Sequence, residues 1–102
     1  MASAEASVRA ARDLGADQVP NAAIQVKRAD DEIKSARTLT KKGENDLADV
    51  VLQRAGADAE LASAYVLESD ARAKERAALE RAGVPATTPE RPNNPGPLYI
   101  EP

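Results

Sequence analysis

Residues 21–62, NAAIQVKRADDEIKSARTLTKKGENDLADVVLQRAGADAELA, decide the fold. In the first half Ala22, Val26, Ala29, Ile33 and Ala36 recur at alternating steps of four and three, with Leu39 beside them. Lys27, Arg28, Asp30 to Glu32 and Lys34 fill the other positions, so the pattern predicts an amphipathic helix from Asn21. Lys41 and Lys42 suit its negative end, and Gly43 is placed to stop it. Asn45 or Asp46 can then cap a second helix that opens with Leu47 and Ala48. So short a connection forces an antiparallel helical hairpin.

The second arm outruns the quoted stretch. Ala48, Val51/Leu52, Ala55, Ala59, Ala62, Val66, Ala73 and Ala77 form one stripe, and no proline interrupts it before Pro85. A single helix from about Asp46 to Arg81 follows. It carries an opposed stripe as well: at 100° per residue, Val50, Ala57, Leu61, Ala64, Ala71 and Ala78 lie about half a turn from the first. A hairpin partner covers one stripe only, so the other needs the N-terminal helix or a second chain. Val50, Ala57, Leu61, Ala64 and Ala71 are therefore the expected protein-interaction residues.

Outward toward the N-terminus, residues 3–14 place Ala4, Val8 and Ala11 on one face of a short helix, with Ser3 as its expected cap. Gly15 suits a left-handed closing residue, and Val19-Pro20 starts a new element, so residues 15–20 read as a turn or a kink. Two architectures stay open. The first helix can fold back to make a three-helix bundle, which Gly15 and the linker permit. Alternatively it extends the second helix as a kinked coiled coil along Val66, Ala73 and Ala77, because the third helix overhangs the second by roughly 24 Å. Either way the fold class is all-α, a long antiparallel hairpin plus a short N-terminal helix.

Residues 84–102 hold six of the seven prolines and read as a disordered tail, leaving residues 1–83 as the helical domain. Within the tail, Leu98-Tyr99-Ile100 is a β-prone apolar triplet suited to a partner's sheet edge or groove.

Composition narrows the function. Of the 102 residues 22 are Ala and only two are aromatic, so the core must be thin. There is no Cys and no His, which removes the usual zinc ligands, every thiol nucleophile and the commonest general base. The reading is no enzyme, no cofactor and no metal. A net charge of −3 without a basic block argues against nucleic acid. No apolar run approaches the ~20 residues of a membrane span. Asp30-Asp31-Glu32 splays over about 200° of helix and reads as a solvated face; Asp58 reads the same way. An enzyme would need two carboxylates facing each other in a buried cleft. Tyr65 is expected to flank the bundle core rather than to stack on a ligand.

Residues 4–75 resemble a family of short alanine-rich helical domains of unknown function found in bacterial envelope lipoproteins, some of them joined to OmpA-like peptidoglycan-binding domains. The likeness rests on the first helix, the Pro20 linker, the Ala29-x-x-x-Ile33-x-x-Ala36 pattern, the K-x-G-D/E-x-x-x-A turn (Lys41 or Lys42, Gly43, Glu44, Ala48), and the ending Ala57, Ala59, Leu61, Ala62. It implies a periplasmic protein, anchored at the outer membrane in its full-length form by a lipidated Cys that this sequence lacks. It brings no catalytic residues. The function expected is a structural or adaptor module that presents helix faces to an envelope protein or to a second copy as a dimer. A peripheral lipid-surface module, with the first helix or the end of the third on the membrane, is the alternative.

Overall fold

The computed structural model describes residues 1–84. All regular structure there is helical: α1, Ala2–Asp13; a 3-10 turn, Ala16–Gln18; α2, Pro20–Lys41; and α3, Asn45–Arg81. The chain divides into two units, Met1–Asp70 and the part from Ala71 onward.

In the first unit α1 folds back on the hairpin. Glu5, near the start of α1, pairs with Arg37 late in α2, and Arg12 near its end reaches Asp30 at 2.7 Å, earlier in α2. The two helices therefore run antiparallel. Of the two architectures the bundle is the observed one, and the kinked extension is ruled out. The reversal needs Gly15 in the left-handed region, φ 102°, followed by the 3-10 turn and an extended Val19. Proline forces Val19 out of the helical region and fits the first position of α2, where its missing N–H costs nothing. Arg12 bridges turn and helix, meeting Asp17 at 3.3 Å as well as Asp30.

One cluster gathers Ala4, Val8, Ala11 and Ala16, then Ala22, Val26, Ala29 and Ile33, then Ala55, Ala59, Ala62 and Val66. Val19, Leu52 and Tyr65 pack against it, so Tyr65 flanks the core as its position implied. The largest fully buried side chains are only Val26 and Val66. Buried alanines let backbones approach closely, and such a core relies on proximity rather than on volume.

The hairpin turn economises on residues. Gly43, φ 80°, and Glu44 close α2 by donating their N–H groups to Thr40 O at 3.0 Å and Leu39 O at 2.9 Å, the paired closure that a left-handed glycine makes available. Glu44 also opens α3, its carbonyl accepting from Ala48 N–H at 3.0 Å. The capping expected of Asn45 or Asp46 is thereby corrected, since α3 already includes both. The Ser3 cap is corrected too: α1 begins at Ala2, Met1 holds the cap position without a side-chain bond, and the Met1 carbonyl accepts from Glu5 N–H at 3.0 Å.

The second unit, as far as it is described, holds residues 71–81 of α3 and their closure. Val84 N–H donates to Leu79 O at 2.8 Å and Gly83 N–H to Glu80 O at 3.1 Å. Ala73, assigned to the main stripe by its spacing, is exposed here, and Ala77 is half-buried.

Candidate functional site

Within the first unit α3 has two unlike faces. Ala48, Ala55, Ala59, Ala62 and Val66 are buried. On the opposite side Val50 is 53% and Leu61 41% exposed, and Ala57 and Ala64 are exposed with them. α1 does not cover this outer face, because its own stripe of Ala4, Val8 and Ala11 joins the same core that α2 and the inner face of α3 build. The N-terminal helix is thus removed as the expected cover. The structure brings Val50, Ala57, Leu61 and Ala64 together on one exposed surface. Ala71 is exposed on the helical segment of the second unit, and Leu98, Tyr99 and Ile100 lie outside the described residues.

Where α1 runs beside α3 there is an open cavity of about 450 Å³, lined in part by Met1, Ser3, Ser7, Gln53, Gly56 and Ala57. Gly56 belongs to its floor: a Cβ built there meets nothing within 4 Å. A smaller cavity on the other edge of α1, about 260 Å³, is lined by Glu5, Val8, Arg9, Asp30, Ile33, Lys34 and Arg37. Leu47, Leu67 and Ile24, 49%, 57% and 57% exposed, are apolar surface that neither stripe of the sequence pattern contained.

The sequence reading of the carboxylates needs correction at two residues. Glu32 of α2 and Asp58 of α3 are neighbours across the hairpin seam, and Oε1 of Glu32 and Oδ2 of Asp58 are each buried without a hydrogen-bond partner. Burial first, then the hydrogen bond and the like charge of Asp58, push the Glu32 carboxyl up to about 7, against a smaller opposing pull from Arg54 and Arg28. A proton on one of the two carboxyls would supply the hydrogen-bond donor that such a pair requires. Gln25, two turns earlier on α2, likewise buries its Oε1 without a partner. Neither carboxylate lines the cavities above. Asp30 and Asp31 keep solvent-side roles, Asp30 with Arg12 and Asp31 with Lys27 at 3.9 Å.

Among the described residues no group of three or more His, Cys, Asp or Glu could hold a metal ion, and no helix is long and apolar enough to cross a membrane. No family model, no curated protein and no solved structure matches this chain.

Proposed function

We propose that this chain is a non-enzymatic interaction module that docks a protein partner, or a second copy of itself, on the outer face of α3. The observation that carries the reading is the exposure of Val50, Ala57, Leu61 and Ala64 in a unit whose three helices have already spent their other apolar stripes on one core. A contiguous exposed apolar patch rimmed by polar residues is the mark of an interaction surface. Two facts support the non-enzymatic part. The chain has no His or Cys, and the inward oxygens of the facing carboxylates are closed off within the α2–α3 seam. The envelope setting rests on the sequence resemblance, which suits a small helical adaptor held near the peptidoglycan. In the lipid-surface alternative Ala4, Val8 and Ala11 of α1 are used in the core, which leaves the end of α3 as the element to lie on the membrane.

Light scattering combined with binding of an apolar dye tests the proposal. The wild-type chain is expected to self-associate or to bind the dye, and Leu61→Lys is expected to abolish either response while leaving the helical circular dichroism unchanged. A monodisperse monomer that binds no dye, at concentrations up to about millimolar, would refute the helix-face reading.

A further inference from the structure

We propose that Glu32 and Asp58 form a proton-operated latch across the α2–α3 seam: one shared proton ties the two helices, and its loss sets two like charges against each other and loosens the hairpin. The geometry is one carboxyl from each arm, the two interacting across the seam, each with an inward oxygen that is buried and has no hydrogen-bond partner, so that a proton held between them would satisfy both. Two ionised carboxylates so placed repel each other beside the alanine seam, where Ala29, Ala55, Ala59 and Ala62 are fully buried. The charged groups that face the pair are Arg28 from the same helix and Arg54 from α3. α1 meets the other edge of α2, where Glu5 and Arg9 lie with Asp30, Lys34 and Arg37, so it brings no counter-charge to the latch.

A second fact makes the device legible. With no His and no Cys in the chain, a side-chain titration between about pH 5.5 and 8 has to come from a group moved there by its surroundings. Among the described residues Glu32 is moved there, its carboxyl pushed up to about 7. The direction follows from linkage. The folded state holds the proton more tightly than the unfolded chain does, so the latch stabilises at low pH. Its contribution is lost as pH rises from the ordinary carboxyl value of 4.5 toward about 7, and is constant above.

Urea unfolding of the full chain at a series of pH values tests the latch, with E32Q and D58N beside the wild type. The unfolding constant of the wild type is expected to rise about tenfold between roughly pH 5.5 and 8, less than the full shift implies because the pair is partly solvated. E32Q keeps the donor without the charge, so its profile should be flat over this window and its stability at pH 8 should exceed the wild type's. D58N removes the like charge by another route and should flatten the profile as well. A flat wild-type profile, or variants that retain the wild-type slope, would overturn the proposal. Carbon-detected NMR of the Glu32 carboxyl gives an independent reading, and a midpoint at the ordinary carboxyl value overturns it too.

Discussion

Val66 and Val50 sit on one helix and differ in what covers them, so trimming each to alanine isolates burial from every other property of the residue. Val66 is 1% exposed among the core alanines, whereas Val50 is 53% exposed on the outer face. Each substitution removes two methyl groups, worth about 0.8 kcal/mol apiece where burial is complete. At Val66 the void left in a core that cannot collapse further adds about 1 kcal/mol. Alanine's better helix propensity returns roughly 0.6 kcal/mol at either site. The expected cost is therefore about 2 kcal/mol for Val66→Ala and close to zero for Val50→Ala. For a unit of this size 2 kcal/mol lowers the midpoint of thermal unfolding by roughly 8–16 °C. Circular dichroism melts at several protein concentrations read both variants. Equal costs, or a Val66→Ala cost below about 0.5 kcal/mol, would refute the assignment of faces. A Val50→Ala cost that grows with concentration would instead show the outer face to be covered by a second copy.

Gly56→Ala is expected to stabilise the unit by about 0.5–1 kcal/mol, since the position is inside α3 and the added Cβ meets open space; a urea titration checks this. Gly43→Ala should act oppositely, costing about 1 kcal/mol in the same assay, because φ 80° strains any residue with a Cβ. Arg12→Ala loses the links to Asp17 and Asp30, but the side chain is 39% exposed, so a cost of no more than about 1 kcal/mol is expected, shrinking in high salt.

The period of the hydrophobic pattern made α2, α3 and the turn at Gly43 legible, because each depends on neighbours a few positions away in the chain. It also separated the two faces of α3 correctly within the first unit, where every inner-stripe residue from Ala55 to Val66 is buried and the outer residues are not. The direction of α1 was not legible. A glycine and a proline permit reversal without commanding it; the choice is made by the contacts of Ala4, Val8 and Ala11 and by Glu5 and Arg12 finding partners on α2. The caps moved by a residue or two because backbone groups of Met1 and Glu44, which carry no sequence signature, took the places assigned to side chains.

The carboxylate pair was missed for a deeper reason. A helical wheel shows that Asp30, Asp31 and Glu32 diverge, which is correct, yet it says nothing about which residue of another helix lies opposite. That register is fixed by the length of the turn at Lys42–Glu44, and the closeness by the residues between the arms. Where a core is built of leucines, flanking polar side chains have room to lean into water. Here Ala29, Ala55, Ala59 and Ala62 draw the arms together, and the flanking Glu32 and Asp58 are carried into the seam with them. The thin core is thus the same feature that desolvates Glu32. Enlarging it should separate the two effects. Ala59→Val would push α2 and α3 apart, costing about 1–3 kcal/mol through overpacking while giving Glu32 back its water, so the stability of that variant should depend less on pH than the wild type's. A variant that is destabilised yet keeps the full pH slope would show that the pair is held by something other than the closeness of the alanines.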